Sequence, residues 1–249
     1  MKKKKPKYVH AIWDINGTSF PVRLYKEWRA NRRVSIGKNA IIVRIPMISS
    51  LLHKKEHEIW AKKWLEQQLI NNSAVFSHFK LQEYRDGHEL RTTKKSYTLH
   101  LSKGKQKTAS AKCIENDIVF KIPQNISQQS EHKVIHTLLG RILAQDNIAL
   151  IKSRVKWFND HYFQCEIKSV RLKNNKSNWG SCSSTGNINI SVRLLFAPDD
   201  VQDYILIHEL AHLKELNHTS KFWKIVENVM PEYRKRERWL KENNHLCNF

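Results

Sequence analysis

The sequence predicts an α+β chain, β-rich in its N-terminal part and followed by a compact core of helices around a small sheet. Three observations support that class. Short β-branched runs separated by polar turns fill the first half. Residues 131–162 contain no proline and one glycine, Gly140, with apolar residues at helical spacing. An alternating segment, residues 187–194, then leads into ILIHELAHL, residues 205–213, where two histidines and a glutamate sit in an otherwise apolar run. The expected organisation is a basic solvated tail over 1–7, a β-rich domain with one amphipathic helix over 8–125, and a second domain over 126–249.

Residues 20–25, 33–36 and 41–46 read as short strands, with Gly37-Lys-Asn as one of the turns between them. In EHEIWAKKWLEQQL, residues 56–69, Ile59, Trp60, Trp64, Leu65 and Leu69 recur at helical spacing. Residues 97–101, 109–114 and 118–122 are further strands, the last two joined by Glu115-Asn-Asp. The polar stretch PQNISQQS, residues 123–130, marks the expected boundary. A long helix over 131–162 follows, with an expected interruption near Asp146-Asn147. Beyond a strand at 165–172 and the turn Ser184-Thr-Gly, the alternation puts Ile188, Ile190, Val192 and Leu194 on one face. Asn187, Asn189, Ser191 and Arg193 fall on the other, which makes a half-buried strand suited to a sheet edge. Pro198 stops it, and Asp199 with Gln202 resembles a capping box for a helix over 200–216. No internal repeat is evident.

That helix poses a chemical problem, because imidazoles and a carboxyl buried among Ile, Leu and Ala are costly unless satisfied. His208 and His212 are four apart and share a face, while Glu209 is offset by about 100°. This is the H-E-x-x-H arrangement of two Zn²⁺ ligands and a general base. A Zn²⁺ ion would satisfy both imidazoles and hold a water for Glu209 to deprotonate. The competing reading is a pair of core histidines bonded to backbone carbonyls, with Glu209 in a surface ion pair.

Catalytic zinc usually takes three protein ligands. His218 can be the third only if the helix ends between it and His212, since six helical steps turn it to the far side. Asn217 in a left-handed conformation would supply that end, and Thr219 or Ser220 would cap the next helix. Glu227 is the fallback ligand. Tyr233 is a candidate oxyanion donor or a packing residue, and Cys182 a reactive thiol or a small buried hydrophobe.

The formal net charge of +21 predicts attraction to polyanions, nucleic acid among them, or serves only to keep the protein dispersed. Cys113, Cys165, Cys182 and Cys247 form no C-x-x-C pair, so reduced thiols and a cytoplasmic location are expected. The start lacks the apolar region of a signal peptide, and no run is expected to approach the length of a membrane span. No membrane partner is expected.

Residues 179–223 resemble the YgjP-type zinc metallopeptidases, related to the SprT and WLM groups and built on a compact gluzincin-like, zincin-like catalytic core. W-G-S-C-S, the G-N-I-N strand, the A-P before the helix, H-E-L-A-H-L and N-H-x-x-x-F-W match in order and spacing. The resemblance covers about residues 130–243. Asn178 departs from it, since such proteins carry Arg before the Trp. The resemblance implies that His208, His212 and His218 bind zinc and that Glu209 is the base. It also implies that the strand bearing Asn187, Asn189 and Ser191 lies along the cleft, where an extended peptide would pair with it. The expected function is a zinc-dependent hydrolase, foremost a metallopeptidase acting on peptide or protein substrates. The alternatives are a metal-dependent hydrolase of nucleotide phosphoanhydrides, and a nucleic-acid-associated SprT-like protease or binding protein with structural zinc.

Overall fold

The computed structural model describes residues 8–16, 18–37, 40–47, 51–71, 76, 84–175 and 178–249. The chain divides into two compact units, Met1–Leu81 and Gln82–Phe249. The expected boundary at 125/126 therefore moves to 81/82. The reason is burial: Leu90, Tyr97, Leu99, Ile118, Phe120 and Ile122, assigned above to the first domain, share one core with the long helix and the histidine-bearing helix.

The first unit contains β1 (Tyr8–Ile15), β2 (Thr18–Glu27), β3 (Arg33–Ile36), β4 (Ile41–Pro46) and α1 (Leu51–Asn71). Its sheet has the order β1-β2-β4-β3. β1 and β2 are antiparallel, β2 and β4 parallel, β3 and β4 antiparallel. The strict alternation of β4 sends Ile41, Val43 and Ile45 inward, against Trp13, Phe20, Val22 and the helix residues Ala61 and Leu65. A side chain of this size taken fully out of water contributes about 1.5–3 kcal/mol.

The second unit begins with β5 (His88–Arg91), β6 (Ser96–Gly104), β7 (Ser110–Ile114), β8 (Asp117–Pro123) and α2 (Gln128–Phe158). Its first sheet has the order β5-β6-β8-β7 with the same three directions. This is a second copy of the ββββα arrangement, contrary to the expectation of no repeat. The registers coincide. Pro46 lies opposite Glu27 and Pro123 opposite Gly104, while Ile41 faces Val22 and Ile118 faces Leu99. Trp13 faces Phe20 and Leu90 faces Tyr97. Both copies close with the same backbone bond after the last strand, Met47 N–H to Glu27 O and Gln124 N–H to Gly104 O, each 2.9 Å.

Helix α2 starts at Ser127, whose hydroxyl accepts from Ser130 N–H. It runs unbroken through Asp146-Asn147, because the Asn147 amide donates to Leu143 O and to the Tyr97 hydroxyl, both at 2.9 Å, instead of competing for the helix backbone. A π turn, Asn159–Phe163, ends it at Gln164 in the left-handed region. By length and composition residues 130–163 could cross a membrane, which corrects the expectation that no run approaches that length. Here Ile135, Leu139, Leu143, Ile151 and Val155 pack into the core of the unit.

The remaining elements are β9 (Ser169–Lys173), β10 (Gly180–Cys182), β11 (Asn187–Ser191), a 3₁₀ segment (Val192–Phe196), α3 (Asp199–Ala211), α4 (Ser220–Val229) and α5 (Tyr233–Asn243). The second sheet has the order β10-β11-β9. β11 is its central strand, antiparallel to β10 and parallel to β9, and not an edge. The expected strand stops at Ser191, and Val192–Leu195 are buried in the 3₁₀ segment. Arg193, expected on the polar face, is buried and donates to Asn244 O at 2.9 Å and Oδ1 at 2.7 Å.

Candidate metal centre and active site

Helix α3 is buried along most of its length through Val201, Tyr204, Ile205, Leu206, Ile207, Leu210 and Ala211. Its start is not the expected capping box. Pro198 is the N-cap, Gln202 Nε2 donates to Ala197 O (2.8 Å) and Thr93 Oγ1 (3.0 Å), and Asp199 pairs with Lys94 and Arg154. The helix ends at Ala211, about a turn before the expected 216, with His212 as C-cap. Asn217 does not take the left-handed conformation: among the described residues only Asn16, Glu115 and Gln164 do so without being glycine. Thr219 does cap α4, its hydroxyl accepting from Phe222 N–H.

The early helix end and the loop after it bring His208, His212 and His218 together, with their ligand atoms within 4.8 Å of one another. His218 Nε2 and His208 Nε2 face each other at 3.0 Å. His212 Nδ1 lies 3.2 Å from Glu215 O, which suits an Nδ1–H donor and leaves the Nε2 lone pair for another partner. Phe222, fully buried, underlies the cluster with ring centroids 4.9, 4.5 and 4.7 Å from the three imidazoles. Sequence reasoning missed this shared floor. Its signal was the apolar residue four places after His218.

Burial, and then the proximity of His212 and His218, pushes His208 down to about 3. The ring is therefore neutral and available as a donor. Three imidazoles so placed fit a divalent metal of the zinc type. Two buried atoms at the cluster, His208 Nδ1 and Glu209 Oε2, have no hydrogen-bond partner among the described residues.

Glu209 is 4 % exposed, and burial pushes its carboxyl up to about 8. It is not the surface ion-pair residue of the competing reading. Its side chain lies against Gly180 of β10, where an added Cβ would come within 2.4 Å of Oε1 and 2.7 Å of Cγ and Cδ. Any side chain there would displace the Glu209 carboxyl from this position. Two residues on, Cys182 is pushed up to about 11 by burial and by Glu209, so its thiol stays protonated and donates to Ser183 O. That favours the small-hydrophobe reading over a reactive thiolate.

The residues expected to touch substrate are otherwise engaged. The Asn187 side chain bonds Ser169 (2.7 Å) and Thr185 (2.9 Å), Asn189 donates to Ser181 Oγ (3.2 Å), and Ser191 donates to Asn175 O (3.0 Å). They tie the sheet and its turns together. The open edge on the Glu209 side belongs to β10, and Asn178 donates to Gly180 O at 2.7 Å. Tyr233 is buried, stacks on Trp223 at 5.2 Å, and accepts from Arg234 at its hydroxyl. With Trp223 it lines a groove of about 530 Å³. Glu227, the fallback ligand, lines that groove and is not in the histidine cluster.

The YgjP-like metallopeptidase domain matches residues 31–243. No curated protein matches the chain. Among solved structures, the crystal structure of the metallopeptidase zymogen abylysin from Pyrococcus abyssi is 27% identical over 38% of this chain and 95% of its own, with a TM-score of 0.34. Since the family match spans most of the sequence, the chain belongs to the YgjP-like metallopeptidase family.

Proposed function

We propose that the protein is a zinc metallopeptidase that cleaves peptide bonds in extended chains. His208, His212 and His218 would hold the metal, and Glu209 would be the general base. One observation carries the reading: three imidazoles with ligand atoms within 4.8 Å adjoin a buried carboxylate that has an unpartnered oxygen. When bound, zinc would supply Lewis acidity toward water and the scissile carbonyl. Glu209 takes the water's proton at its carboxylate and later passes it to the leaving amine. Burial, which raises its affinity for a proton, suits that temporary holding.

The substrate strand would pair with β10 instead of β11. Ser191 N–H bonds Trp179 O, so alternation turns the groups of Gly180 and Cys182 to the open side. The bare Gly180 lets the base approach that edge. The Trp223–Tyr233 groove would receive a substrate side chain, and Tyr233, whose hydroxyl accepts from Arg234, is the candidate oxyanion donor.

Metal analysis and casein cleavage test this together. Purified protein should carry about one zinc per chain, lost in His218→Ala. Glu209→Gln should keep the metal and lose on the order of 10²–10⁴ in rate. Gly180→Ala should keep the metal and lose activity. Undiminished cleavage by Glu209→Gln, or hydrolysis of nucleoside triphosphates with casein left intact, would overturn the reading.

A further inference from the structure

The second sheet has another open edge. Among the described residues β9 pairs only with β11, and beside it α2 leaves a groove of about 690 Å³. Arg141 and Lys152 of α2 and Lys168, Arg171 and Lys173 of the strand segment line it, with no acidic residue among the described lining. None of these five cations forms an ion pair among the described residues. The floor is aliphatic, with Ile148 and Val170 part of it.

We infer that this groove docks an extended acidic polypeptide segment, which adds to β9 as a further strand. Ser169 N–H points toward Gly186 O, at 3.3 Å, on the β11 side. Alternation then turns the N–H and C=O of Val170 and Leu172 into the groove. A peptide backbone satisfies such groups at their own spacing, and charge complementarity selects Asp and Glu for the side chains that meet the cations. A nucleic acid would satisfy the charges but not the strand edge, and the described lining offers no aromatic ring for bases to stack on. β9 and β10 are opposite edges of one sheet, so a segment docked here is held away from Glu209. The groove therefore tethers a partner or substrate without presenting it for cleavage. This inference does not rest on the proposed peptidase chemistry.

Fluorescence anisotropy on the full chain tests it, with Glu209→Gln used so that no probe is cut. The probes are a labelled decapeptide alternating Glu and Val, its Lys–Val counterpart, the Glu–Val peptide N-methylated at alternate residues in either register, and a single-stranded oligothymidylate of equal charge. The Glu–Val peptide should bind and the Lys–Val peptide should not. N-methylation in one register, and the double variant Arg141→Glu/Lys152→Glu, should each weaken binding by at least about tenfold. With Glu209 intact, the double variant should unfold in urea at the same midpoint as the wild type. Equal binding of both N-methylated peptides would reduce the groove to a nonspecific charged surface. Displacement by oligothymidylate at equal concentration would make it a nucleic-acid site. Unchanged binding in the double variant would place the peptide elsewhere, the β10 edge included. Any of these overturns the inference.

Discussion

The two ββββα copies share strand order, directions and register, and the second shares its core with the helix that carries the histidines. Their buried positions correspond: Trp13, Phe20, Val22, Ile41, Val43 and Ile45 in one, and Leu90, Tyr97, Leu99, Ile118, Phe120 and Ile122 in the other. The difference lies in a few polar residues. The two hairpin turns are equally long, since Trp13 and Phe20 are seven apart and so are Leu90 and Tyr97, but where the first copy has Asn16-Gly17 the second has Thr93-Lys94. Thr93 and Lys94 reach the segment before α3. Thr93 N–H donates to Leu195 O, the Thr93 hydroxyl lies 2.9 and 2.8 Å from Leu195 O and Ala197 O, and Lys94 pairs with Asp199. Where the first copy has Phe20, the second has Tyr97, whose hydroxyl donates to Asp146 and accepts from Asn147. The comparison teaches that an apolar pattern can specify a sub-fold twice, while a short polar turn decides which copy supports a site.

The largest effect should come from making the second copy resemble the first. Replacing Thr93-Lys94 with Asn-Gly removes the Thr93 hydroxyl's bonds with the Leu195–Ala197 carbonyls and Gln202 and the Lys94–Asp199 pair, at about 1 kcal/mol each. Stability in urea should fall by about 3 kcal/mol, and casein cleavage should fall with it. Unchanged stability and activity would break the assigned role of the turn. A smaller effect is expected from the converse swap in the first copy. Phe20→Tyr buries a hydroxyl in an apolar core at 0 % exposure, costing about 1–3 kcal/mol in a melt or urea titration. Tyr97→Phe should cost less, about 0.5–1.5 kcal/mol, because Asn147 keeps Leu143 O and Asp146 keeps Lys95.

The smallest effect is a pH dependence confined to the second copy. Burial pushes the Asp146 carboxyl up, but hydrogen bonds from Lys95 and Tyr97 and the Lys95 charge more than offset this and hold it below its usual range. A depressed folded pKa stabilises the fold above the unfolded pKa and loses that contribution as pH falls below about 4. The stability gap between wild type and Tyr97→Phe should therefore narrow from pH 7 to pH 3. A gap that widens would contradict the assigned partners.

Local spacing alone makes several features legible. The i, i+4 histidines, the need for a bend before His218, and Thr219 as a cap follow from helix geometry and hydrogen-bond chemistry within a few residues. The buried faces of β4, β8 and β11 follow from strand alternation. β10 was missed because three residues, Gly180–Cys182, are too few to show a period. The true end of α3 was missed because Leu213 and Leu216 continue the apolar spacing past Ala211.

What the amino-acid order determined unaided is which side chains share a face, because helix and strand periods act between neighbours in the chain. Which strand lies at an edge, that one sub-fold occurs twice, and that β5–β8 belong to the unit with the histidines were decided only by tertiary structure. Pairing of distant segments is selected by the joint burial of their apolar faces, and no single segment carries that information.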